Sequence, residues 1–107
     1  MEEVRLVLVT SPAAEAPALA RRLVEERLAA CVNLLSGMAS VYRWEGKVEE
    51  AEETLMILKT SAGRIRELRE RVVALHPYDV PEFVVVPVES GLESYLAWVL
   101  AETGERG

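Results

Sequence analysis

The chain has 107 residues, half of them hydrophobic and 28% charged, with a formal net charge of -6; a single globular domain of this size buries roughly two-thirds of its unfolded surface. Arginine and lysine are interleaved with acids except at Arg21-Arg22, which excludes the cationic stripe that nucleic-acid backbones require. One cysteine, Cys31, excludes an intrachain disulfide framework, no CxxC or His/Cys zinc spacing occurs, and no apolar run is long enough to span a membrane.

The start, Met1-Glu2-Glu3, lacks the basic opening and long apolar core of a signal peptide, so a cytoplasmic protein without membrane insertion is expected. Val4 to Thr10 is short, β-branched and bounded by Ser11-Pro12, and predicts a buried strand. Ala16, Leu19, Ala20, Leu23, Val24 and Leu28 then recur at helical spacing. Pro12 and Pro17 cannot both lie in the first turn, so either a loose turn leads to Pro17 or a kinked helix starts at Ser11.

Cys31 to Trp44 is strand-like, with a bulge or bend expected at Ser36-Gly37. Glu45-Gly46 marks a hairpin. The return, Lys47 to Thr60, has a glutamate-rich first half that also suits a helix and a continuous apolar run, Leu55-Met56-Ile57-Leu58; strand is assigned throughout. Ser61 is placed as the cap of a second helix with the stripe Ile65, Leu68, Val72 and Leu75. Phe83 to Val88 predicts a fourth strand. Ser90 and Glu93 form a capping-box pattern opening a third helix that Gly104 ends.

The order β-α-β-β-α-β-α predicts an α+β, ferredoxin-like sandwich with an extra C-terminal helix, residues 1–103 forming one domain and 104–107 a short tail. Strands of about thirteen residues extend ~43 Å, whereas a compact chain of this size is about 34 Å across. The hairpin between the second and third strands must therefore overhang, carrying Tyr42 and Trp44 with it. Such an aromatic, open-edged tip predicts cover by another subunit.

Individual residues carry two readings each. His76 sits in Leu75-His76-Pro77-Tyr78-Asp79-Val80-Pro81-Glu82, where two prolines stiffen a loop that presents an imidazole, a phenol and carboxylates. It is a site candidate, or simply the end of a helix. Cys31 is a small buried hydrophobe or a soft ligand. Asn33 shares its face and serves a bend or a ligand. Tyr42 and Trp44 pack across a subunit boundary or stack on a ligand. Lys59, after an apolar run, seeks a carboxylate such as Glu53 or Glu82, or an anion. The acidic stretch Glu49 to Glu53 is a solvated strand face or a loose site for hard cations.

Three blocks together resemble the CutA family of divalent-cation tolerance proteins. They are Leu23-Val-Glu-Glu-Arg-Leu-Ala-Ala-Cys-Val-Asn33, then Tyr42-Arg-Trp44-Glu-Gly46-Lys with Ile57-Leu-Lys59-Thr60, and His76-Pro-Tyr-Asp-Val-Pro-Glu82; Tyr95-Leu-Ala-Trp98 extends the match. The resemblance implies a homotrimer related in architecture to PII signalling proteins, with inter-subunit clefts lined by Cys31, Asn33, Tyr42, Trp44, Glu53, Lys59, His76, Tyr78, Glu82 and Trp98. It implies tolerance of copper and other divalent metals, without a catalytic reaction.

Copper sites in some relatives use a cysteine near the end of the first strand and paired histidines before the Pro-Tyr step. Val9 and Leu75 occupy those positions here. Cys31 and His76 remain as soft ligands for a divalent cation, Cu or Zn, and need carboxylates, water or neighbouring subunits to complete a four-coordinate site. The alternative is a PII-like module binding a small anion or metabolite through Lys59, His76, Tyr78 and Glu82. No Gly-rich phosphate loop or nucleophile elbow supports an enzyme.

Overall fold

A computed structural model describes residues 3–104; Met1, Glu2 and 105–107 of the expected domain start and tail lie outside the described residues. The elements are β1 (Val4–Ser11), α1 (Ala16–Glu25), β2 (Cys31–Trp44), β3 (Lys47–Ser61), α2 (Ile65–Leu75), β4 (Val84–Pro87) and α3 (Glu93–Thr103). All strand pairs are antiparallel, in the order β2-β3-β1-β4. The result is an α+β fold with a four-stranded antiparallel sheet and three helices.

Most of the helix stripes read from the sequence join the core, except that Val24, expected in the first, is 39% exposed. Val7 and Val9 of β1 and Met56 and Leu58 of β3 point to one face of the sheet, where Leu19 and Leu23 of α1 and Leu68 and Val72 of α2 cover them completely or nearly so. Burying a Leu or Val side chain stabilises by about 1.5–3 kcal/mol, so this layer is the main source of cohesion. Arg71 of α2 adds a bidentate pair to Glu26 at 2.8 and 2.9 Å, and its hydrogen bond holds the Glu26 carboxyl below the usual carboxylate range.

Helix boundaries depart from the sequence expectations at three places. The open question at the first helix resolves as a turn: the Glu15 and Ala16 amides donate to the Pro12 carbonyl, and Pro17 lies within the first helical turn. Leu28, expected in the α1 stripe, lies beyond the helix. The chain turns left-handed at Arg27 (φ 62°), and the Leu28 amide returns to the Leu23 carbonyl and that of Arg27 to Val24, a Schellman ending that still buries Leu28 against the core.

Ser61 does not cap α2. It remains the last paired residue of β3, opposite Val4, and a short 3-10 turn (Ala62–Arg64) intervenes before the helix. Nor do Ser90 and Glu93 form a capping box: α3 begins at Glu93 itself with Leu92 as its cap, which puts the glutamate two residues too early in the helix to reach back. Glu93 instead places a negative charge in the first turn, favourable to the helix dipole. The fourth strand is shorter than expected because Pro87, opposite Arg5 on the sheet edge, closes it.

Two arginines hold the end of α3. Arg64 donates from Nε to the Thr103 carbonyl at 2.8 Å, and Arg27 from Nη2 to the Ala101 carbonyl at 3.1 Å. Both cations meet unsatisfied carbonyls at the negative end of the helix dipole. Arg27 thereby occupies a left-handed position that glycine would fill with less strain.

The expected overhang is present. The described residues extend 46 × 26 × 22 Å, and the hairpin tip is open to solvent, Val41 at 66% and Trp44 at 48% exposed. Glu45 and Gly46 both adopt positive φ (51° and 81°), as a tight two-residue hairpin turn requires.

Candidate functional site

The second face of the sheet, opposite α1 and α2, carries the candidate site residues of β2 and β3: Cys31, Asn33, Tyr42, Trp44, Glu53 and Lys59. Residues opposite each other in an antiparallel ladder point to the same side. Cys31 pairs with Lys59, Asn33 with Ile57 and Leu35 with Leu55; past the irregularity, Met38 pairs with Glu53 and Tyr42 with Glu49. The step from Leu35 to Met38 opposite Leu55 to Glu53 inserts one extra residue at Ser36-Gly37, with Gly37 at φ 74°. This bulge changes the parity of β2. Cys31 and Asn33 before it, and Ser40, Tyr42 and Trp44 after it, therefore share one face.

Two groups occupy that face. At one end, Lys59 Nζ donates to Asn33 Oδ1 and lies 3.8 Å from Cys31 Sγ. Neither carboxylate offered for Lys59 is its partner: Glu53 lies six positions along the same strand, ~20 Å away at strand spacing, Glu82 lines the cleft at the other end, and an amide takes their place. Tyr95 of α3 closes over this group. Burial, and then the neighbouring Cys31, push the Tyr95 phenol up, and Trp98 stacks on it with ring centroids 5.6 Å apart. Tyr95, quoted with Trp98 in the family resemblance, was not counted among the cleft residues, although its three-residue spacing from Trp98 on one helix face was a usable signal.

At the other end is a cleft of about 590 Å³ between the hairpin and the loop after α2, lined by Thr10, Ser40, Val41, Tyr42, Trp44, Glu53, Tyr78, Val80 and Glu82. Five of the ten candidate residues meet here: Tyr42, Trp44, Glu53, Tyr78 and Glu82. Thr10, Ser40, Val41 and Val80 were not foreseen. Ser40 and Val41 adjoin Tyr42 in the sequence, whereas Thr10 enters only through the β1–β3 pairing opposite Leu55.

His76 builds the cleft wall without lining it. It is 7% exposed and ends α2 in extended geometry, as its following proline dictates. Nε2 lies 2.7 Å from the Thr10 carbonyl oxygen and Nδ1 accepts the Tyr78 amide at 3.1 Å, so the ring is assigned as the neutral tautomer with its proton on Nε2. Both nitrogens are thus engaged. The ring also packs 4.8 Å from that of Tyr78, whose hydroxyl donates to Glu53 Oε2 at 2.9 Å. Burial, and then Glu53, push the Tyr78 phenol up to about 12.

His76 and Cys31 do not meet within one chain. Cys31 is level with Leu6 across β3, and His76 with Thr10, roughly 13 Å further along the sheet at ~3.3 Å per residue. Among the described residues no group of three His, Cys, Asp or Glu side chains converges to hold a metal ion. The cleft itself offers two carboxylates and hydroxyl groups, and no lysine, arginine or histidine. Oxygen donors of this type suit cations.

Comparison with known proteins agrees with this architecture. The CutA protein of Thermus thermophilus, a divalent-cation tolerance protein, is 51% identical over 105 residues, spanning 97% of this chain and its own full length. The chloroplastic CutA of Arabidopsis thaliana is 46% identical over 92% of this chain, which spans about half (54%) of that relative. Among solved structures, CutA1 of Oryza sativa superposes with a TM-score of 0.93 at 42% identity, covering 97% of this chain and 96% of the other. The PII-like protein CutA of Nostoc in apo form superposes at 0.89 with 38% identity, covering 94% and 97%. A family model described as CutA1 divalent ion tolerance protein matches residues 5–102, and the chain belongs to that family.

Proposed function

We propose that this protein is a cytosolic homotrimer that contributes to divalent-metal tolerance by binding, not by catalysis, and that its ligand site is the cleft between the β2–β3 hairpin and the loop after α2. The trimer is of ferredoxin-like subunits, each completing the open side of its neighbour's cleft. The observation that carries the reading is the cleft's chemistry: Glu53 and Glu82 with the Tyr78 and Thr10 hydroxyls, and no basic side chain. Such a lining takes a cation. It favours a metal bound through oxygen, with donors from the next subunit filling the coordination shell, over a soft site on Cys31 and His76.

Equilibrium dialysis with ZnCl2 and CuCl2 tests it. Uptake should fall at least about tenfold in Glu53→Gln or Glu82→Gln, the loss of one charged ligand being worth about 1.4 kcal/mol or more. Uptake that is absent, or that depends on Cys31 and not on either glutamate, removes the reading.

The alternative, a PII-like module for a small anion or metabolite, is supported by the structural likeness to a protein described as PII-like. Lys59, the cation it needs, is committed to Asn33 outside the cleft. A thermal-shift screen with anionic metabolites and nucleotides separates the two: stabilisation lost in Lys59→Ala would favour the anion.

A further inference from the structure

Metal binding through oxygen accounts for Glu53 and Glu82 and leaves the aromatic half of the cleft unused. Tyr42, Trp44 and Tyr78 all line it and are each more than a third exposed. A strongly hydrated divalent ion gains nothing from ring surfaces, and its few oxygen ligands would occupy a small part of about 590 Å³. That volume lies in the range of sites for small organic molecules, roughly 300–1,000 Å³. Rings around a carboxylate attract a different kind of cation, one whose charge is spread over an apolar body and is weakly hydrated.

We propose that the cleft receives an organic ammonium ion, its charge facing Glu53 and Glu82 and its carbon substituents packed against Tyr42, Trp44 and Tyr78. This rests on the reading of the cleft as the cation site and names a second ligand class for it. Three features support it. No ion pair among the described residues involves Glu53 or Glu82, so neither charge is spent on an internal partner. Glu53 is 7% exposed and fixed by the Tyr78 hydroxyl, which presents a preorganised charge at the base of the cleft. The carboxylates of Glu53 and Glu15 add to burial in opposing ionisation of the Tyr78 phenol, as a negative field at the cleft would.

Isothermal titration with choline chloride at constant ionic strength tests the proposal, with 3,3-dimethyl-1-butanol as its uncharged isostere and ZnCl2 as the metal arm. Choline should bind saturably at one per subunit, and the neutral isostere at least about tenfold more weakly. Trp44→Leu, which keeps an apolar side chain for packing against a neighbouring subunit, should weaken choline about tenfold, as should Glu53→Gln, which keeps a hydrogen-bond acceptor for Tyr78. Equal binding of choline and its isostere, or choline binding indifferent to Trp44→Leu, overturns the proposal. Zinc uptake without choline binding overturns it and leaves the metal reading standing; silence in both arms removes both.

Discussion

The hydroxyl of Tyr78 donates a 2.9 Å hydrogen bond to Oε2 of Glu53, tying the loop after α2 to the middle of β3. That bond closes the base of the cleft and fixes the only well-buried carboxylate in it. Tyr78→Phe removes the donor while keeping the ring. It should cost about 1–2 kcal/mol of stability, the worth of a hydrogen bond to a charged acceptor at a part-buried site, and weaken cation binding by loosening Glu53. Urea denaturation and metal titration of the same variant check both effects.

The Tyr78 phenol also makes stability depend on alkaline pH. Its folded value, pushed up to about 12 by burial and Glu53, lies above the ordinary value of about 10. The folded state therefore holds this proton more tightly than the unfolded state, so its contribution is complete below about pH 10 and is lost between about 10 and 12. Absorbance of tyrosinate should show a late phase in that window, diminished in Tyr78→Phe, where Tyr95 remains as the other phenol shifted up.

His76 is a bracket between β1 and the cleft loop, joining the Thr10 carbonyl to the Tyr78 amide. His76→Ala leaves both groups unpaired and should cost about 2–4 kcal/mol. His76→Gln, which retains a terminal donor toward Thr10, should cost less. The ordering, read by thermal or chemical unfolding, fails if the two variants are equally stable.

Lys59 is held by an amide and a thiol, and no ion pair among the described residues involves it. A partly buried ammonium without an opposite charge gains little from its position, so Lys59→Met should change stability by less than about 1 kcal/mol. A larger loss would show that the cation is required structurally, through a contact made across a subunit boundary.

Arg64 anchors the end of α3 through the Thr103 carbonyl. Arg64→Ala should cost about 1–2 kcal/mol and raise amide hydrogen exchange in α3 while leaving the α1–α2 layer protected. Uniform exchange across both layers would contradict this local role.

Legibility in the sequence followed the range of the interaction. Gly46 fixes local geometry and placed the hairpin, Ser36-Gly37 marked the bulge, and the two prolines Pro12 and Pro17 narrowed the start of the first helix to two alternatives, of which the turn leading to Pro17 is found. The capping assignments at Ser61 and Ser90 were wrong because a cap pattern only proposes a boundary; sheet pairing held Ser61 extended, and α3 started later. The cleft was half legible. The hairpin and the proline loop each announced themselves, but their meeting depends on the parity change at the bulge and on β1 running between β3 and β4, which brings Thr10 beside His76. Lys59 lost its expected glutamate for the same reason: proximity along a strand is distance in space.

Where a bound metal ion sits decides whether Glu53 and Glu82 form the cation site. Crystals soaked in MnCl2 or ZnCl2, with data collected at the metal absorption edge, should show an anomalous peak in the cleft within coordination distance of Glu53 or Glu82, and none in Glu53→Gln crystals. A peak at Cys31 or His76 instead, or no peak in the cleft at metal concentrations that saturate uptake in solution, would contradict the account.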